Sequence, residues 1–215
     1  AELADKISGF TGVSDIRNSM KDGKDEVLAM WRVGERYRWC VSCGELHASY
    51  VTMFAIKLFE QLRDILGLRE EWMKPLMVAS LLHDVGTSID EFNHNEHSYK
   101  IILGSEELNV LGEDVKRVAA LTALHHRKKG DPRSDTRCKG LEDTVAHLAA
   151  ILKVADALDR SLEQIVEDVE VVEESDMLRL KLYCTWNCEE ELRRAKEKFW
   201  LLEELAGKHV AVEVV

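Results

Sequence analysis

The stretch LLHDVGTSIDEFNHNEHSY, residues 81–99, constrains this chain more than any other part of it. An apolar run breaks off in His83 and Asp84, Gly86 interrupts the chain, and a polar segment then delivers His94 and His97. Imidazole and carboxylate are thereby set at the end of a helix whose apolar lead-in marks it as buried. An unpaired charge there costs several kcal/mol, and a bound cation removes that cost.

The surrounding sequence supports a metal site. Six of the eight histidines fall between His47 and His126, and Asp156 sits among alanines and leucines in a later helix-like run. The minimal ligand set is His47, His83, Asp84 and Asp156, drawn from separate helices that the fold must bring together. Imidazole and carboxylate without thiolate suit Mn²⁺, Fe²⁺, Co²⁺, Mg²⁺ or Zn²⁺, and octahedral geometry leaves positions for water and substrate. Plainer roles stand beside these. His47 could be a hydrogen-bonded helix histidine, His83 and Asp84 could cap a helix end, and Asp156 could pair with Lys153 or Arg160 on the surface.

The 215 residues, 46% hydrophobic, suffice for one main core with a smaller addition. A net charge of -11 repels phosphate, which argues against duplex nucleic acid and anionic membrane as partners. No apolar run reaches the roughly 18 residues needed to cross a bilayer, and no signal-peptide pattern is read. Five cysteines without an evident disulfide framework fit a reducing compartment, so the expectation is a soluble cytoplasmic protein.

Periodicity predicts helices from about Asp25, from Ser42 to Leu66 with a stop at Gly67, and from Glu71 to Asp84 with Pro75 in or near the first turn. Further helices are predicted from His94 to Leu103, after Gly112, from Leu141 to Ser161, and from Glu189 to Leu205. Valines at 169, 171 and 172, the alternating MLRLKLYC, and the final VAVEVV read as three strands, with Cys184 and Cys188 flanking a strand-to-helix turn.

His47, then His83 with Asp84, then Asp156 resemble the signature of the HD superfamily of metal-dependent phosphohydrolases. More narrowly, LHASYVTMFAIKLFEQL (46–62), residues 81–102, LHHRKKGDPR (124–133) and LAAILKVADALDRS (148–161) resemble the C-terminal HD domain of the exopolyphosphatase and guanosine pentaphosphate phosphatase (Ppx/GppA) family. VSDIRNSMKDG, at 13–23, is similar to the segment leading into it. The resemblance implies a mainly α fold: residues 1–23 as a lead-in, 24–163 as an HD-domain helical bundle, and 164–215 as a small β-β-α-β unit. In that family the phosphatase site belongs to two actin-like domains, which these residues lack, so exopolyphosphatase activity does not carry over.

The same resemblance makes His97, His125 and His126 candidate additional ligands, with His97 and His126 nearest the metal; His94 is as readily a capping residue. The loop RKKGDPRSDTRCK (127–139) is locally basic, and Arg127, Lys128, Lys129 and Arg133, with Lys100 and Lys153, are candidate phosphate contacts. A solvated surface loop is the plainer alternative. Asp84, His126 and Arg127 are the candidate catalytic residues, and Glu96 could orient water. Cys40 and Cys43 form a CxxC that could serve zinc or redox chemistry. Trp31, Trp39 and Trp200 could contribute to a homodimer. The expected function is metal-dependent hydrolysis of a phosphorylated small molecule, a nucleotide or polyphosphate. The rival expectation is a module that binds polyphosphate or a guanosine nucleotide without cleaving it.

Overall fold

The computed structural model describes residues 23–127 and 130–215. Nearly all of the lead-in segment, together with Lys128 and Lys129, therefore lies outside the described residues. Six helices build the bundle: α1 (Lys24–Arg36), α2 (Gly44–Leu66), α3 (Met73–Leu82), α4 (His94–Gly104), α5 (Glu113–Leu124) and α6 (Glu142–Ala157). They are followed by β1 (Val166–Glu173), β2 (Met177–Cys184), α7 (Glu189–Lys198), α8 (Trp200–Ala206) and β3 (His209–Val214). The mainly α bundle with a small mixed α/β tail is the expected class.

At the centre lies α3, buried on every side from Leu76 to Leu82 because no polar face interrupts its sequence apart from the small Ser80. It packs between α2 and α5, with α4 laid on α5 and α6 on α2. Ser80 satisfies its hydroxyl within the helix, donating to the Leu76 carbonyl at 2.7 Å. A buried helix of this kind carries whatever follows its last turn into the interior.

That last turn comes two residues earlier than the sequence predicts. The helix ends at Leu82, His83 is its cap, and Asp84 enters a short 3₁₀ turn over Val85–Ser88. Hydroxyls compete for the backbone here: Thr87 Oγ1 donates to the Asp84 carbonyl at 2.7 Å and Ser88 Oγ to that of Val85 at 2.8 Å. Gly86 lies so close to α4 that a Cβ would overlap the His94 carbonyl oxygen and crowd the Ser98 amide. Only glycine allows this approach.

Other boundaries differ for local reasons. Helix α2 starts at Gly44, after a turn through Cys40–Cys43. Helix α6 stops at Ala157, because the Asp159 carboxylate accepts the Gln164 amide at 3.0 Å and pulls the chain into a turn in which Leu162 and Gln164 take positive φ. The predicted helix 189–205 bends at Phe199: α7 lies along α6, whereas α8 drives Leu201 and Leu202 into the core.

The three strands form one sheet in the order β1-β2-β3, antiparallel between β1 and β2 and parallel between β2 and β3. Leu178, Leu180 and Leu182 turn one face of β2 into the core. Gln61 of α2 fastens β1, donating to the Val169 carbonyl at 3.0 Å and accepting the Val171 amide at 2.6 Å. Among the described residues no helix is long and apolar enough to cross a membrane.

Two sequence expectations are corrected. Four of the five cysteines pair, Cys40 with Cys43 and Cys184 with Cys188, each closing a short turn with sequence separations of three and four that a search for a long-range framework passes over. Trp31 and Trp39 are not surface residues for a dimer: both are 5% exposed and pack edge to face at 4.7 Å.

Candidate metal centre

Four side chains from three helical segments converge. His47 comes from the first turns of α2, His83 and Asp84 from the end of α3, and Asp156 from the last turn of α6. His47 Nε2 lies 3.8 Å from Asp84 Oδ2 and 3.4 Å from Asp156 Oδ1; His83 Nε2 lies 3.4 and 3.6 Å from the same two oxygens. Ligands held about 2.1 Å from one ion sit about 3.0 to 3.4 Å apart at octahedral to tetrahedral angles, so the four atoms form a slightly opened donor set.

Hydrogen bonds on the far side of each ring fix which nitrogen faces inward. A carbonyl only accepts, so His83 Nδ1 must donate to Ser80 O (2.8 Å), His126 Nδ1 to Ala123 O (2.6 Å) and His94 Nδ1 to Glu91 O (2.8 Å). His47 Nδ1 faces the fully buried Asp159 carboxylate at 2.8 Å. All four rings thus aim Nε2 at the centre, each backed by a partner of the kind that orients metal-bound histidines. His83 Nε2 is buried with no hydrogen-bond partner among the described residues, an orphan that a cation would satisfy.

A second cluster adjoins the first. Asp84 Oδ1 lies 3.3 Å from His94 Nε2 and 3.6 Å from His126 Nε2, and those two nitrogens are 3.1 Å apart. Two lone pairs facing at that distance repel unless a proton or cation lies between them. Asp84 therefore offers one oxygen to each cluster. The residues fit a divalent ion in the first position and a second ion beside it.

The electrostatics point the same way. Burial opposes charge on His47, but hydrogen bonds to Asp156 and Asp159 and the charges of Asp156 and Asp84 outweigh it and raise its pKa to about 10. His83 is raised despite complete burial, chiefly by Asp84 and Asp156. Asp156 is held well below the usual carboxylate range against its burial by Lys198, His47 and His83. Absent a metal, protons on the imidazoles answer the two carboxylates, and a divalent cation would replace them. His126, by contrast, is pushed well below the usual imidazole range by burial and by His83.

A cavity of about 460 Å³ opens over both clusters, with Arg127, Arg160, Arg194 and Lys198 on its wall beside Glu91 and Glu197. Arg127 reaches the rim, where it donates to the Phe92 carbonyl. Lys198 pairs with Asp156, which takes the place of the surface partners Lys153 and Arg160 that helical spacing suggests.

Several other predicted residues are not brought here. His97 and Lys100 line a separate cavity of about 750 Å³ with Arg36 and Tyr37, because the close contact at Gly86 turns His94, not His97, toward Asp84. His125, the residue that caps α5, points its Nε2 at Asp135 (3.1 Å) and Cys138 (3.7 Å) and not at Asp84. Lys153 is fully buried and donates to the carbonyls of His125 and Arg127, so it shapes the loop and cannot meet a ligand. Two arginines of the basic loop are paired: Asp131 caps the turn that bears Arg133 and pairs with it, Glu204 pairs with it too, and Asp135 and Glu96 do the same for Arg137. Glu96 is thereby occupied away from the cluster.

Sequence reasoning missed Asp159, Arg194 and Lys198, and undervalued His94. Asp159 had one signal, its spacing of three from Asp156 on a helical run. The others come from segments that only tertiary packing brings near.

Against known families, residues 41–198 match the Ppx/GppA phosphatase, domain III. That span contains every residue of both clusters. None of the curated proteins compared matches the chain.

Proposed function

The chain belongs to the Ppx/GppA phosphatase domain III family, and from that premise we propose that it is a metal-dependent phosphohydrolase acting on a phosphorylated small molecule, a nucleotide or polyphosphate. One observation carries the reading: four Nε2 atoms and the carboxylates of Asp84 and Asp156 converge beneath a cavity walled by arginines and a lysine. His47, His83, Asp84 and Asp156 would hold Mn²⁺, Fe²⁺, Co²⁺, Mg²⁺ or Zn²⁺, with His94 and His126 beside Asp84 for a second ion. When bound, such an ion supplies Lewis acidity and an acidified water as nucleophile near neutral pH.

The chain's own residues supply the remainder. Asp84 spans both clusters and keeps them in register. His126, held neutral, keeps its Nε2 lone pair available. Arg127, with Arg160, offers planar donors that match phosphoryl oxygens in pairs, and Lys198 adds a point charge beside Asp156.

A second reading, a module that binds such ligands without cleaving them, is favoured by the matched unit being domain III of a larger phosphatase family. One experiment separates the two. Purified protein is stripped, reloaded with each metal in turn, and assayed for phosphate release from nucleotides and polyphosphate. Hydrolysis that His83→Ala abolishes together with metal retention supports the enzyme; binding without release supports the module. Full activity with normal metal content in His83→Ala overturns both.

A further inference from the structure

The turn between α1 and α2 carries the CxxC that the metal centre does not use. Its two sulfurs and the Asp84 carboxylate offer ligand atoms all within 4.8 Å of one another, and both cysteines line the cavity above the imidazoles. Cys40 is buried while Cys43 is half-buried.

The turn is constructed to hold that position. Arg38 and Trp39 take left-handed φ values of 59° and 57°, a conformation that side chains avoid unless the surroundings enforce it. The enforcement is visible. Trp39 donates its amide to Gly34 O at 2.7 Å, and its indole lies where a Cβ at Gly34 would be. Val41 N donates to Thr87 Oγ1 at 3.1 Å, and the same hydroxyl donates to the Asp84 carbonyl. One threonine thus clamps the cysteine turn to the backbone of Asp84.

We infer that Cys40 and Cys43, when reduced, form with Asp84 a thiolate-carboxylate site for a thiophilic divalent cation such as Zn²⁺, so that redox state governs which metals the cavity holds. In the disulfide the sulfurs are bonded to each other and offer no anionic donor. A dithiol reductant breaks that bond: two electrons and two protons pass to Cys40 and Cys43, and the reductant closes to its own disulfide. Cation binding then releases the thiol protons to water. Two cysteines separated by two residues are the common half of a tetrahedral zinc site, and Asp84 supplies a third ligand.

The site shares Asp84 with the proposed metal centre but differs from it in ligand chemistry, and Co²⁺ titration reads the two separately. The full chain is titrated as the disulfide and after dithiol reduction and anaerobic desalting. Reduction adds one equivalent of bound Co²⁺ and a thiolate-to-cobalt charge-transfer absorption. Cys43→Ser removes the band and leaves the equivalents bound by the disulfide form unchanged; Asp84→Asn weakens the thiolate-bound cobalt about tenfold, in line with loss of a ligand's support. Equal cobalt and no charge-transfer band in the two redox states overturn the inference without touching the imidazole centre, as does a band indifferent to Asp84→Asn. If the imidazole centre is instead the reading that fails, the disulfide form binds no cobalt while the band still appears on reduction. The wild-type comparison needs no variant to fold.

Discussion

Replacing Asp159 by asparagine tests how far the centre depends on a residue that touches no metal. Asp159 is fully buried and divides its oxygens: Oδ2 faces His47 Nδ1 at 2.8 Å, and Oδ1 accepts the Gln164 amide at 3.0 Å. Asparagine keeps the volume but has a single acceptor oxygen, so either His47 or the Gln164 amide loses its partner. If His47 loses it, the ring is free to rotate or change tautomer and Nε2 no longer faces Asp156. Loss of such a partner lowers metal affinity about 10- to 100-fold, equivalent to roughly 1.4 to 2.7 kcal/mol. If the Gln164 amide loses it, a half-buried donor is left unpaired, at about 1 kcal/mol of fold stability. Competition with a chromophoric chelator measures the first, and urea unfolding of the metal-free protein the second. Gln164→Ala serves as control, since it disturbs the turn while leaving His47 its carboxylate. Asp159→Asn with affinity within twofold of wild type and an undiminished unfolding midpoint would refute the reasoning.

Gly86→Ala places a methyl against the His94 carbonyl and the Ser98 amide; it should cost at least about 2 kcal/mol in unfolding free energy and lower metal stoichiometry at the His94 and His126 cluster, and an unchanged midpoint would show that α4 is not held by this contact. Burial, with the Lys198 charge, lowers the Lys153 pKa from 10.5 to about 7. Between those values the unfolded chain binds a proton that the folded one does not, so stability conferred by Lys153 rises with pH, by up to about 1.4 kcal/mol per unit. Urea unfolding of wild type and Lys153→Met at pH 7 and pH 9 should show the gap widening in favour of wild type; a gap that is constant or narrows contradicts the buried-amine account.

The sequence made the bundle and its alternating tail legible because apolar periodicity is a local property: α2, α4 and the three strands begin and end within a few residues of expectation. Helix ends were less legible where side chains compete with the backbone, as Thr87 and Ser88 do after α3 and Asp159 after α6. Among the site residues, His47, His83, Asp84 and Asp156 were named together and lie together. His94 and His97 were indistinguishable by spacing. What separates them is the absence of a side chain at Gly86, which seats the first turn of α4 against the turn that follows His83 and Asp84 and so fixes which histidine reaches Asp84. In the loop 127–139, Arg133 and Arg137 each fold back onto the aspartate two residues earlier, a pairing that a count of charges along the sequence does not reveal. Two of the cations that line the cavity, Arg194 and Lys198, sit on α7 more than 30 residues beyond Asp156, a proximity created only by packing of the tail on α6.

Anomalous diffraction from crystals grown with Mn²⁺ tests the central claim most directly. The account predicts a manganese peak about 2.0 to 2.3 Å from His47 Nε2, His83 Nε2 and one oxygen each of Asp84 and Asp156. Manganese found only elsewhere in the crystal, with those four atoms bridged by nothing but water and protons, would contradict it.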